Sequence, residues 1–385
     1  MIALLNALTA EQEQIKTWRH ALHRQPETAF EERHTAGYIA KLLRAWGYEV
    51  AEGVGKTGVV ARLKAGDGKN SIGLRADIDA LPVPEMSESE YKSTVEGKSH
   101  ACGHDGHSAM LLGAAQYLAK TRNFNGTVNL IFQPAEEIMG GAPAMINDGL
   151  FERFPMEAVF GMHNMPGLEL GKIYFTPGPV MAAVDNWEIT LTGVGSHGSM
   201  PEKSVDPVVA GAALVMSLQT IVSRNVAPKD SAVVSVGAFL AGDAGNVIPQ
   251  TAILRLSTRT SAPETRKMVL AKIKAITAAT AEAYGVSHEI KEGPPGAVLV
   301  NDPEQTAVCT EIAQKLLGED RVITQGPTFM GSEDFAFYAQ RKPSAYCFIG
   351  NGDTPMVHHP MYRFDDRNLP IGAAYWVAVA EHYLQ

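Results

Sequence analysis

Four short apolar runs bounded by glycine or polar residues, at 58–63, 71–76, 127–132 and 158–162, most constrain the fold of this 385-residue chain. They read as buried strands of an α/β sheet, whose inner strands are covered on both faces and so are apolar almost throughout. Helical patterns flank them. Residues 10–24 and 31–47 carry apolar side chains at three- and four-residue steps, as in Tyr38, Ile39, Leu42, Leu43 and Trp46. Residues 106–120 read as a further helix with Asp105 as its N-cap.

The pattern changes near Asp185. From there the order is strand (187–192), helix (207–224), strand (232–240), strand (252–260), helix (263–284) and strand (286–291). Asp206-Pro207 is a good helix start, an aspartate cap followed by proline in the first turn. This β-α-β-β-α-β order is the ferredoxin-like unit. After Gly293-Pro294-Pro295-Gly296 the first style resumes, with helices at 303–317 and 367–384 around a strand at 346–349. The expected architecture is an α/β domain with a mixed sheet flanked by helices (1–184 and 297–385), interrupted by an inserted α+β domain (185–296).

Composition narrows the function classes. The chain is 45% hydrophobic and 19% charged, and 33 Lys plus Arg against 42 Asp plus Glu leave a net charge of −9. That balance argues against tracking a phosphate backbone, so no nucleic-acid partner is expected. No stretch has the run of about 18 apolar residues that a membrane span needs. The N-terminus has no basic region like that of a signal peptide. Three cysteines without paired spacing are not a disulfide framework, and the expected location is the cytoplasm.

The chemistry concentrates in a few places. Lys98-Ser-His-Ala-Cys-Gly-His-Asp-Gly-His107 brings His100, Cys102, His104 and His107 within eight positions, and Cys102 and His104, two apart, can point the same way in an extended loop. A thiolate with an imidazole suits zinc or another borderline cation. A buried cysteine beside solvated histidines would give the same string. Gln133-Pro-Ala-Glu-Glu137 and Gly161-Met-His-Asn164 each lie at the end of an apolar run, where open α/β sheets build their sites. Val357-His-His-Pro360 is a loop near the C-terminus.

Together with Arg75-Ala-Asp-Ile-Asp-Ala-Leu-Pro82, Gly195-Ser-His-Gly-Ser-Met-Pro201, Gly245-Asn-Val-Ile-Pro249 and Gly331-Ser-Glu-Asp-Phe335, these motifs resemble the M20 metallopeptidase/amidohydrolase family over essentially the whole chain. Among its members, the hippurate hydrolases and N-acyl-amino-acid amidohydrolases are most similar. The resemblance implies two divalent ions (zinc or manganese, with cobalt or nickel as alternatives) held by Cys102, His104, Glu137, His163 and His359. It makes Glu136 the general base and Asp77 a carboxylate that orients a ligand. Many family peptidases carry a histidine ligand two residues before that aspartate; this chain has Arg75, so Cys102 takes the ligand role. The resemblance further implies that His197 donates to the oxyanion and that Asn246 and Arg259 bind the substrate carboxylate. A polar loop histidine and an exposed strand arginine are the competing readings. His107 and His358 neighbour implied ligands and read as support or as surface; His20, His23, His34, His288 and His382 read as surface.

These residues suit amide hydrolysis. Two ions about 3.5–4 Å apart acidify a shared water and polarise the carbonyl, while a nearby carboxylate moves the proton from water to the leaving nitrogen. Adjacent Glu136 and Glu137 divide this labour because consecutive extended side chains point apart. The expected reaction is hydrolysis of small N-acyl-amino acids. The alternatives are a dipeptidase or exopeptidase on the same site, and a non-catalytic binder, which has no use for Glu136. The resemblance also implies a homodimer or higher homo-oligomer formed through the inserted domain. Gly193-Val-Gly-Ser-His-Gly198 formally fits G-x-G-x-x-G, but a loop follows where a dinucleotide site needs a helix. There is neither a Walker lysine motif nor a G-x-S-x-G elbow.

Overall fold

The apolar runs form inner strands of an eight-stranded sheet in the computed structural model, which describes residues 1–385. From one edge the strands are Glu49–Val54, Gly58–Ala65, Gly126–Gln133, Ser71–Asp77, Ala158–Met165, Ser344–Gly350, Ile173–Tyr174 and Val322–Ile323. Gly126–Gln133, Ser71–Asp77, Ala158–Met165 and Ser344–Gly350 run parallel to their neighbours in this group, with Asp77 opposite Gln133 and Phe348 opposite His163. Every residue of Ala158–Met165 and of Ser344–Gly350 is buried, which is why these strands read as unbroken apolar runs. The Glu49–Val54 edge strand is half-exposed, with Glu49, Glu52 and Gly53 interrupting its apolar residues, and local patterning missed it.

The helix His104–Thr121 is buried along most of its length and shares its core with Gln12–His23 and Leu369–Tyr383. It begins two residues earlier than expected. Asp105 is not its N-cap: Gly103 holds that position in a left-handed conformation, while the Asp105 carboxylate pairs with Arg19 and His23.

These elements belong to one compact unit (Met1–Gly178, Val300–Pro327 and Asp334–Gln385); a second comprises Pro179–Leu299 and Thr328–Glu333. The second unit has a four-stranded antiparallel sheet ordered Ala232–Leu240, Thr251–Thr260, Ala183–Thr192, Ser287–Glu292. Its helices Pro207–Asn225 and Pro263–Tyr284 pack Leu214, Leu218, Ile221, Val269 and Ile273 against Trp187, Ile189, Leu191, Leu254 and Leu256. Asp206 caps the first of these helices by accepting from Val208 N at 2.8 Å and Val209 N at 3.3 Å. That helix is long and apolar enough to cross a membrane, with mean hydropathy 1.3, but its Leu214, Leu218 and Ile221 are buried in this core.

The expected insert, 185–296, lies a few residues inside the observed unit. Thr328–Glu333 joins the second unit because Phe329 N donates to Val180 O at 2.9 Å, and Ala182 N to both Phe329 O and Gly331 O. Pairing across nearly 150 residues leaves no mark in local periodicity.

Candidate metal centre

The site is built where the parallel strands end. Asp77 closes one strand and Asp79 follows it; Glu136 and Glu137 follow Gly126–Gln133; His163 and Asn164 lie near the end of Ala158–Met165. Cys102 precedes the helix that starts at His104, and the glycine between them is needed. Gly103 has φ +88°, and a Cβ there would lie 2.4 Å from both Asn164 Nδ2 and Tyr362 Oη. The turn Glu136–Ile138 is framed by two non-glycine residues in left-handed backbone, Ala135 (φ 51°, ψ 38°) and Met139 (φ 56°, ψ 29°). Each costs about 1–2 kcal/mol.

Hydrogen bonds orient the ring nitrogens. His163 Nδ1 donates to Asn164 O at 2.5 Å, which leaves the Nε2 lone pair facing Cys102 Sγ at 3.4 Å. His104 Nδ1 donates to Asp79 Oδ1 at 3.1 Å. Its buried Nε2 has no hydrogen-bond partner; it lies 3.7 Å from Asp77 Oδ2 and 3.8 Å from Glu137 Oε1, which is likewise orphaned. His107 is used up by the protein itself. Its Nε2 accepts from Asn164 N at 2.9 Å, so Nδ1 is the donor to Asp77 Oδ1 at 2.6 Å. The other Asp77 oxygen accepts from Arg75 Nη1 at 2.8 Å, and Arg75 also donates to Gln133 and Asp334.

The potential here is strongly negative. Burial disfavours a charged His104, yet Asp77 and Asp79 push its pKa up to about 10. Burial, reinforced by Glu137 and Glu136, raises the Cys102 thiol well above its ordinary value. Burial holds His163 well below its own. Burial would also raise Asp77, but His104, His107 and Arg75 together keep it well below the usual carboxylate range. Carboxylates crowded around uncharged soft donors, with buried orphan atoms facing one another, are an environment that a cation answers. The donor set fits divalent metal: atoms of Cys102, Glu137 and His358, and of His104, Glu136 and Glu137, lie within 4.8 Å of one another in each group.

Of the residues expected from sequence, Cys102, His104, Glu136, Glu137, His163 and Asp77 come together. His359 does not. It is exposed, and its Nδ1 accepts from Met361 N at 3.0 Å, whereas His358 Nε2 lies 3.3 Å from Glu137 Oε2. The histidine that faces Glu137 is therefore His358, itself exposed, and not the expected His359. Asp79, quoted in the motif without a role, accepts both from His104 and from Glu137 N at 3.0 Å. His107 is buried and not on a helix surface, and His23, read as surface, is buried between Asp105 and Glu85. His197, Asn246 and Arg259 all lie in the second unit. His197 pairs with Val247, and its Nδ1 accepts from Ser199 N at 3.1 Å, leaving Nε2 as an exposed donor. Asn246 O accepts from Gly198 N, and Arg259 Nη1 donates to Met330 O and Ser332 Oγ.

Known proteins are similar to this chain along most of its length. Residues 73–382 match the family model of peptidase family M20/M25/M40. A hippurate hydrolase of Campylobacter jejuni is 46% identical over 367 residues, which cover 95% of this chain and 96% of that protein. An N-acetyl-L-cysteine deacetylase of Bacillus subtilis is 38% identical, covering 97% of this chain and 88% of that one. The crystal structure of a dinuclear metal-binding peptidase of the M20 family from Bacillus subtilis is 33% identical with a TM-score of 0.85, covering 98% of this chain and 99% of that one.

Proposed function

The chain belongs to peptidase family M20/M25/M40, and on that premise we propose that it hydrolyses the amide bond of N-acyl-amino acids, releasing a carboxylic acid and a free amino acid. The observation that carries this reading is the convergence of Cys102 Sγ with His163 Nε2, and of the orphaned His104 Nε2 with the Glu136–Glu137 pair. Cys102, His104, Glu137, His163 and His358 would hold two divalent ions, for which zinc or manganese suits the mixed sulfur, nitrogen and oxygen donors. When bound, such ions polarise the scissile carbonyl and acidify water.

The remaining steps belong to the chain. The Glu136 carboxylate takes the proton from the attacking water and returns it to the leaving nitrogen. Asp79 locks the His104 tautomer, and Asp77, through His107, steadies the Asn164 backbone beside His163. His197 Nε2–H stabilises the developing oxyanion, and Arg259 with Asn246 holds the substrate carboxylate. The β-α-β-β-α-β second unit is read as ferredoxin-like. Exposed Val209, Met216, Phe239 and Leu240 on it support self-association.

The test is a screen of metal-loaded protein over acyl-glycines, acetyl-amino acids and dipeptides. Acylated substrates should have the higher kcat/KM. A preference for free dipeptides would make the protein a dipeptidase, and no turnover of either class would defeat the proposal. Glu136→Gln should keep metal content while lowering kcat by about 10²–10⁴-fold.

A further inference from the structure

The turn that carries Glu136 and Glu137 is one the chain does not adopt by default, since Ala135 and Met139 both stand in left-handed backbone without being glycine. Strain of this kind persists only where its surroundings over-determine it. The determinant at Ala135 comes from far away in sequence. Glu32, with no exposed surface, accepts the Ala135 N–H at 2.9 Å with Oε1 and the Thr57 hydroxyl at 2.5 Å with Oε2. Two peptides further on, Asp79 Oδ2 takes the Glu137 N–H at 3.0 Å. Two buried carboxylates from separate segments thus grip the amides on either side of Glu136.

Burying Glu32 is costly in itself: desolvation pushes its pKa up despite Thr57 and the Ala135 amide. A carboxylate kept in such a place needs a return that a simpler side chain would not supply. We propose that Glu32 is a positioning residue for Glu136 and Glu137, its Oε1 clamping the Ala135 amide and its Oε2 aligned by Thr57. Glu32 touches neither substrate nor ion and acts through the backbone. The assignment rests on the reading of Glu136 and Glu137 as the hydrolytic pair.

Two near-isosteric changes separate a clamp from a charge. Glu32→Gln keeps the length and an oxygen for the Ala135 amide, and its amide nitrogen donates to the Thr57 hydroxyl. Glu32→Asp keeps the charge but is one methylene too short to reach both partners. With each purified protein, three quantities are measured: hydrogen exchange of the 135–141 amides, affinity for Zn²⁺ or Mn²⁺ alone, and kcat and KM on an acylated amino acid. Glu32→Asp should exchange faster in that segment, bind metal about 10–100-fold more weakly and lose kcat with little change in KM. Glu32→Gln should stay near wild type on all three. Wild-type exchange and metal affinity in Glu32→Asp would overturn the proposal. So would a folded Glu32→Gln that has lost both, and this second variant decides the matter if Glu32→Asp does not fold. If the wild-type protein turns over no acylated substrate, the reading of the reaction fails, while exchange and metal affinity still judge the clamp.

Discussion

At the scale of single residues, the pair His358-His359 divides one task unequally. His358 stands at φ 69°, a left-handed conformation unusual for a histidine, and its N–H donates to Ala101 O at 2.7 Å, beside Cys102. That backbone turns the His358 ring to Glu137 and leaves His359 to accept from Met361 N. His358→Ala should therefore lower metal occupancy and reduce kcat/KM by about 10–100-fold or more, while His359→Ala stays near wild type, as metal analysis and kinetics would read. Metal retention by His358→Ala together with its loss from His359→Ala would reverse the assignment. The family resemblance singled out His359, and nothing local separates two adjacent loop histidines, because the sign of φ in a turn is set by what the turn packs against. Cys102 and His104 were legible because both lie in one short stretch. Asp79 was visible only as part of a motif, since its role depends on which amide and which imidazole come within reach. Cys102→Ser should also weaken metal binding, a neutral hydroxyl being a poorer donor than a thiolate.

At the scale of elements, the helix His104–Thr121 starts within a buried charge network. Asp105 Oδ2 accepts from Arg19 Nη1 at 2.9 Å and faces His23 Nδ1 at 2.8 Å, while His23 Nε2 lies 3.2 Å from Glu85 Oε2. Tyr91 stacks on His20 and meets His23 edge-on, and His100 lies nearby. Burial works against a charged His23, yet Asp105 and Glu85 push its pKa up to about 9 from 6.5, with Arg19 opposing. A folded-state value above the unfolded one stabilises the protein fully below the unfolded pKa, and that stability is lost as pH rises through the folded value. The thermal midpoint should accordingly fall between about pH 6.5 and 9. His23→Gln should lessen that dependence, leaving the part due to His104, and cost about 2–4 kcal/mol at neutral pH. A His23→Gln midpoint that still follows the wild-type pH profile would exclude His23 as its source. Patterning located this helix to within two residues but misread its start, because a glycine wedged against Asn164 and Tyr362 is a tertiary fact. Gly103→Ala should disturb Cys102 and His104 together, reducing metal affinity more than overall helicity.

At the scale of the whole molecule, two units with separate cores carry unequal shares of the chemistry. Their inner strands were legible because buried parallel strands are continuously apolar, whereas Ala183–Thr192 alternates in burial along its length. Recruitment of Thr328–Glu333 was not, since it rests on hydrogen bonds to Val180 and Ala182 far away in sequence. All the proposed ligands belong to the unit formed by Met1–Gly178, Val300–Pro327 and Asp334–Gln385, and none to its companion. An ion that binds only the folded state stabilises what it binds by mass action, about 3–4 kcal/mol at a hundred to a thousand times its Kd. Chelation should therefore abolish turnover and lower the melting of the ligand-bearing unit by several degrees, at roughly 2–4 °C per kcal/mol. Hydrogen exchange after chelation should rise around Cys102, Glu137 and His163, while the core of Trp187, Ile189, Leu214 and Ile273 keeps its protection. Restoring Zn²⁺ or Mn²⁺ should reverse both changes. Loss of protection confined to the second core would mean that the ligands lie elsewhere than at the ends of the parallel strands, and full activity after exhaustive chelation would mean that turnover needs no ion.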